Sequence, residues 1–199
     1  MSFRIENKYE VNYLKLHVVY EYLKKMNAKI LFPPRKINSI YFDNIHLDSF
    51  YDSEEGVVPR KKMRLRYYGE KLDFSNSNLN YEVKFNLSEG RYKKILKVKN
   101  LNRILNFGIY DSMYKMCKPK VVVNYIRQYF LVNNFRVTLD KNIKYSLYNS
   151  QRNHLDLGQS IIEVKSDNLN MNNKINDLFQ FKQIRYSKYS NAIKFLKIC

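Results

Sequence analysis

Glycine is scarce in this 199-residue chain: Gly56, Gly69, Gly90, Gly108 and Gly158 are all there are. No two stand at the spacing of G-x-x-x-x-G-K or G-x-G-x-x-G, so the glycine-rich turns that cradle phosphate with backbone amides are excluded. Any phosphate bound here must be held by side chains. Tryptophan is missing, and cysteine occurs only as Cys117 and the last residue, Cys199. There is no C-x-x-C pair, and His17, His46 and His154 are scattered, so zinc-ligand spacing is absent. Two lone thiols without a disulfide framework fit a reduced, cytoplasmic compartment. No stretch approaches the ~18 uninterrupted apolar residues of a membrane span, and MSFRIENKYEV at the amino terminus has no apolar signal-peptide core. Negative charge is also in short supply. Against 36 Lys and Arg stand 18 Asp and Glu, a net charge of +18.

Apolar residues, in contrast, make up 45% of the chain and aromatic residues 15%. That content predicts a folded core, with residues 1–199 as one domain, and excludes a disordered basic tail. The charge implies an anionic partner: nucleic acid, anionic lipid, nucleotide or inorganic phosphate. Its placement narrows the choice. Charged residues recur two apart in Arg4-Glu6-Lys8, Lys62-Arg64-Arg66, Glu82-Lys84, Arg136-Thr138-Asp140 and Glu163-Lys165, with mostly apolar residues between them. Strand side chains alternate faces, so each run sets charge on one side and apolar groups on the other. Repeated on several strands, the pattern predicts a sheet with one face lined by cations and a few carboxylates. Nucleic acid is the disfavoured partner, because no helix-turn-helix, zinc-finger or RNP-like motif accompanies the charge.

Strands are expected over residues 3–11, 37–43, 60–68, 80–85, 91–98, 120–132, 135–140, 142–147 and 160–165. Helical spacing covers 14–26, with Asn12 as a candidate N-cap, and a short helix is expected around 47–53. Residues 100–116 also read as helical, with a break at Gly108, and two helical segments follow at 173–181 and 189–197. Pro33-Pro34 and Pro119 read as breaks, 75–80 as a loop, and Asn133-Asn134 as a tight hairpin turn. The fold class is therefore α+β. A sheet of roughly eight antiparallel strands can remove its edges by closing into a barrel, with helices packed outside. Closure gathers the cationic faces into one lumen, where unit charges ~4 Å apart repel by about 4 kcal/mol at an effective dielectric near 20. A bound polyphosphate relieves that repulsion, Arg gripping two oxygens and Lys acting as a compact charge. The glutamates on these faces either pair with the cations or hold Mg²⁺ or Mn²⁺, hard ions that take carboxylate and phosphate oxygens.

Nine segments in order carry a family resemblance: R-I-E-N-K-Y (4–9), S-I-Y-F-D (39–43), K-M-R-L-R-Y-Y-G (62–69), Y-E-V-K (81–84), G-R-Y-K-K (90–94), Y-I-R-Q-Y-F (125–130), F-R-V-T-L-D (135–140), I-I-E-V-K (161–165) and S-K-Y-S (187–190). Together they resemble the VTC (vacuolar transporter chaperone) polyphosphate polymerase domain, a branch of the triphosphate tunnel metalloenzymes. The resemblance implies an antiparallel tunnel in which a divalent metal and basic side chains move the γ-phosphate of ATP onto inorganic polyphosphate. Carried over position by position, it implies phosphate contacts from Lys8, Arg64, Arg66, Lys84, Lys93, Arg127, Arg136 and Lys188. Lys8, Arg64, Arg66 and Glu163 would be catalytic, and Glu163 the metal ligand. Lys94 adjoins Lys93, and a one-residue slip would exchange which of them faces inward. Glu6 stands where other tunnel enzymes carry an acidic metal-binding motif, but Asn7 and Lys8 follow it and E-x-E-x-K is incomplete. Tyr41, Phe42, Tyr67 and Tyr68 read as core residues, or as a stacking surface for adenine. Two other functions suit the same lining: hydrolysis of triphosphate or nucleoside triphosphate, and non-catalytic binding of polyphosphate.

Overall fold

The computed structural model describes residues 5–70, 79–98, 100–150, 154–155, 159–166 and 172–199. Arg4 and most of the loop expected at 75–80 lie outside them. Eleven antiparallel strands form one sheet: β1 (Ile5–Asn12), β2 (Lys29–Asp43), β3 (Arg60–Tyr68), β4 (Asn80–Leu87), β5 (Gly90–Leu96), β6 (Ile109–Asp111), β7 (Lys115–Val132), β8 (Phe135–Leu147), β9 (His154–Leu155), β10 (Gln159–Ser166) and β11 (Lys182–Gln183). The helices are α1 (Leu16–Lys25), α2 (Asp48–Glu55), α3 (Leu101–Phe107), α4 (Asn172–Leu178) and α5 (Lys188–Phe195).

The strand order is β11-β1-β10-β8-β7-β2-β3-β4-β5, with β6 and β9 paired to one side. The expected closed, eight-stranded barrel is corrected on both counts: among the described residues nine strands form an open path, and no ladder joins β5 to β11. The sheet still curls far enough for a lysine on β4 and a glutamate on β1, six places apart in strand order, to meet at 3.5 Å. Its β5 edge carries Arg91, Lys93 and Lys94, all exposed. Edge charges of this kind discourage further strand pairing, a task that closure performs in a barrel.

Several boundaries move for identifiable reasons. Pro33-Pro34 does not end the chain's extended course, because β2 runs through it with register shifts against β7. At that point β2 has β7 alone as a neighbour, since its pairing with β3 begins at Ile37. Prolines without an N–H are tolerated at such a bulged edge. β7 likewise runs through Pro119, with a shift between Tyr41 and Phe42 of β2. The helix expected over 100–116 stops at Phe107, and Ile109–Asp111 turns back as a strand against Lys115–Cys117. Gly108 makes this corner at φ +91°, where a Cβ would lie 2.4 Å from the Cys117 carbonyl oxygen. Residues 135–147 form one strand, β8, with an irregularity against β7 near Asn142, whose φ is +53°. Asn12 does not cap α1. Its side chain accepts the Leu14 N–H at 2.9 Å, inside a short 3₁₀ turn that precedes the helix.

Helices cover both faces. On the convex side Val19 and Leu23 of α1 and Ile175 of α4 pack with Val137, Leu139, Ile162 and Val164, and Leu101 of α3 joins Met63, Leu65 and Val83. On the concave side α5 fills one end, burying Tyr189, Ala192 and Ile193 against Tyr41, Val121, Tyr145 and Ile161. Asp43 fixes that arrangement from a fully buried position. Its carboxylate accepts the N–H groups of Asn44, Ser49 and Phe50 and, at 2.6 Å, the Tyr189 hydroxyl.

Candidate functional site

The two-residue period places the charged side chains as expected, on the concave face beyond the apolar plug. Cross-strand register then assembles them into rows. Lys8 stands opposite Glu163 and Glu6 opposite Lys165 across β1–β10. Arg64 stands opposite Glu82, and Lys62 opposite Lys84, across β3–β4. Lys84 in turn faces Lys93 on β5, so three lysines form one row over three strands. Like charges directly opposite destabilise a sheet, and here Glu6 reaches Lys84 and Glu82 reaches Lys93.

Carboxylates hold the cations elsewhere. Glu82 accepts Nε and Nη2 of Arg64 at 2.8 and 2.6 Å, with Lys93 at 3.4 Å and Arg66 at 3.6 Å. Asp140, wholly buried, accepts a two-pronged contact from Arg127 at 2.6 and 2.7 Å and a further bond from Lys188. Glu163 pairs with Lys165 and stands 4.0 Å from Arg127. Glu6 takes Lys8 at 3.2 Å, Lys84 at 3.5 Å and Lys165 at 3.8 Å. Among the described residues this cluster gathers nine cations (Lys8, Lys62, Arg64, Arg66, Lys84, Lys93, Arg127, Lys165 and Lys188) around four carboxylates, all but Lys62 in ion pairs. The formal excess is five positive charges.

This balance governs ionisation. Burial would raise Glu82, yet Arg64 and Arg66 outweigh it and hold its pKa at about 2. Burial and the Glu163 charge would raise Glu6, and Lys84, Lys8 and Lys165 together bring it down to about 2. Glu163 and Asp140 are lowered in the same way, against their burial, by Lys165 and Arg127 for the first and by Arg127 and Lys188 for the second. Lys62 differs. Burial and then the charges of Lys8, Lys84 and Arg60 depress its amine to about 7, and among the described residues its Nζ donates to the neutral Ser187 hydroxyl, at 2.7 Å, and to no carboxylate.

Of the residues assigned by motif, Lys8, Arg64, Arg66, Lys84, Lys93, Arg127, Glu163 and Lys188 all enter this network. Register settles the choice between neighbouring lysines, since Lys93 shares the face of Lys84 and Lys94 pairs with Val83 on the other side. Arg136 stands apart. It lies opposite Lys165 but exposed at the end of β8, where it joins no ion pair among the described residues. Motif matching missed Lys62, Lys165, Glu82 and Asp140, although the two-residue spacing contains all four. It also missed Tyr125, two residues before Arg127, which is buried with Lys188 over its ring at 4.5 Å. Burial raises the pKa of this phenol, but Arg127, Arg66 and Lys188 more than reverse that and lower it. Tyr41 and Phe42 are buried, Tyr41 stacking on Tyr189 at 5.3 Å, and Tyr67 and Tyr68 pack against the same cores.

The family model of the VTC domain matches residues 3–197. The chain belongs to the VTC domain family. Solved structures share the fold of this VTC domain at low identity. A "putative adenylate cyclase" from Bacillus halodurans aligns with a TM-score of 0.62 and 13% identity, covering 98% of each chain. Another from Vibrio parahaemolyticus gives 0.57 and 15%, covering 97% of this chain and 98% of its own. A "putative adenylyl cyclase" from Hippeastrum, described as revealing a dominant triphosphatase activity, gives 0.55 and 12%, covering 96% of each. No curated protein sequence matches. Among the described residues no helix of the VTC domain is long and apolar enough to cross a membrane.

Proposed function

We propose that this VTC domain is a metal-dependent phosphotransferase that moves the γ-phosphate of ATP onto inorganic polyphosphate in the cytoplasm. The observation that carries the reading is the excess of positive charge on the concave face, above all the row Lys62–Lys84–Lys93, where two carboxylates, Glu6 and Glu82, are shared with other cations and Lys62 forms no ion pair among the described residues. A chain of phosphates supplies negative charge dispersed along its length. Arg64, Arg66 and Arg127 have the forks to grip phosphate oxygens, while Lys8, Lys84, Lys93 and Lys188 add point charges. Glu82 and Asp140 hold the arginine forks in place before any substrate arrives, so little reorganisation is left for the moment of transfer.

The donor set also suits a hard divalent cation. Glu6 and Glu163 lie on neighbouring strands and each stays ionised, and each raises the other's cost of ionisation. Among the described residues no group of three or more His, Cys, Asp or Glu could hold a metal, so the protein alone makes no cage. Mg²⁺ or Mn²⁺ held by one or two carboxylates together with substrate phosphates is a common arrangement, and Glu163, with Glu6 beside it, would hold it here. When bound, the ion neutralises charge on the phosphate oxygens. The side chains of this face do the rest, aligning donor and acceptor chains and balancing the equatorial charge.

Incubating the purified protein with ATP and Mn²⁺, then resolving the products by gel, tests this proposal. A polyphosphate ladder is expected. Free orthophosphate without a ladder would instead make the protein a triphosphatase, the activity described for the Hippeastrum relative. Polyphosphate binding without turnover, undiminished in Glu163→Gln, would make it a binding module.

A further inference from the structure

The cationic rows on β3, β4 and β5 do not stop at the lysines. Two residues further along the same face, Arg60 stands opposite Asn86 and Asn86 opposite Arg91. A third arginine, Arg185, approaches from the segment before α5. Burial, then the charges of Arg185 and Arg91, act on the Arg60 guanidinium ahead of the opposing Tyr114 and Asp52, which places Arg60 within the field of both. All three donate to neutral oxygens: Arg60 to the Val57 carbonyl at 2.6 Å, Arg91 to the Asn86 amide oxygen at 3.2 Å, and Arg185 to the Ser53 carbonyl. Among the described residues none of them forms an ion pair. The nearby carboxylates of α2 have closer partners, Asp52 accepting the Tyr114 hydroxyl at 2.9 Å and Glu54 pairing with Lys194, although Asp52 also acts on Arg60 and Glu54 also feels the charge of Arg185. Arg60 is half-buried, and Arg91 and Arg185 are exposed.

Three guanidinium groups, two of them acting on the third and all with forks only partly used, line the rim that adjoins Lys62–Lys84–Lys93. From Arg66 to Arg60 is six residues of strand, about 20 Å, which is longer than a triphosphate. We infer that Arg60, Arg91 and Arg185 form an outer anion subsite through which a long polyphosphate chain leaves the concave face. The inference rests on the phosphate-binding reading of that face and assigns it a chain-length preference. A triphosphate occupies the inner rows alone, and a longer chain adds contacts at this rim.

The experiment compares binding of sodium triphosphate and of long-chain polyphosphate by calorimetry, using the full chain. Wild type is expected to bind the long chain more tightly. The triple variant Arg60→Ala/Arg91→Ala/Arg185→Ala should lose roughly tenfold in affinity for it and keep its triphosphate affinity. Lys15→Ala/Lys24→Ala/Lys25→Ala, which removes as many exposed charges from the convex side, should leave both affinities near wild type. Unchanged long-chain binding in the arginine variant overturns the inference, as does an equal loss in the lysine variant. Wild type binding triphosphate but gaining nothing from length removes the rim and leaves the inner reading intact. Binding of neither anion removes both.

Discussion

Lys62 offers a test of the concave face that needs no catalysis. Its amine, ordinarily near 10.5, is depressed to about 7 by burial and by Lys8, Lys84 and Arg60, with Glu54 opposing. At pH 8.5 such a group is roughly 97% neutral, and a polyanion bound beside it restores the charge. Binding must then take up close to one proton. From pH 8 to 9.5, where the interior phosphates of long-chain polyphosphate keep a constant charge, the Kd for that chain should rise about tenfold per pH unit, or about 1.4 kcal/mol per unit. Calorimetry in two buffers of different ionisation enthalpy gives the proton number directly, and Lys62→Met should reduce it to near zero at pH 8.5. The unliganded protein carries the opposite sign. Its folded-state value lies below the unfolded one, so the unfolded chain binds the extra proton between about pH 7 and 10.5 and stability rises with pH across that window. Proton uptake absent from wild type, or unaltered in Lys62→Met, would refute the reasoning.

Four further outcomes follow from the geometry. Glu82→Gln leaves Arg64, Arg66 and Lys93 without their shared carboxylate, and denaturant unfolding should show a loss of about 3–5 kcal/mol, partly recovered by added triphosphate. Arg66→Ala should behave in reverse, because Arg64 still holds Glu82: activity falls about a hundredfold or more while Tm moves by only a few degrees, and equal losses of both would make the residue structural. Glu6 and Glu82 are held at about 2 against an ordinary 4.5, so their stabilisation is complete above pH 4.5 and lost as pH falls toward 2. Denaturant midpoints measured from pH 6 to 3 should decline through that range. Gly108→Ala should cost well over 1 kcal/mol in thermal unfolding, since the backbone oxygen of Cys117 cannot yield to a methyl group 2.4 Å away.

Much of the site could be read from spacing alone. Charge at every second position needs no tertiary information to define a face, and Lys62-Arg64-Arg66, Glu82-Lys84 and Glu163-Lys165 all landed where alternation placed them. The motifs narrowed that list too far. Lys62 and Tyr125 open two of the quoted motifs, but the resemblance gives neither a role, and their importance comes from surroundings that lie far off in sequence. Arg136 shows the converse, a motif residue with the right alternation whose strand ends before the charged rows close around it.

By itself the chain determined its longer strands, though not β6, β9 or β11, together with the sign of their charged faces and the absence of any glycine-built phosphate loop, because each depends on neighbours a few residues apart. Tertiary structure alone decided that the sheet stays open and that β2 and β7 pass through their prolines. It also decided that Lys93 rather than Lys94 faces inward, and that Asp140 holds an arginine and a lysine 48 residues apart from it at most. Those outcomes turn on which strand edges meet, and edges are matched by register and charge across the whole molecule rather than by any local pattern.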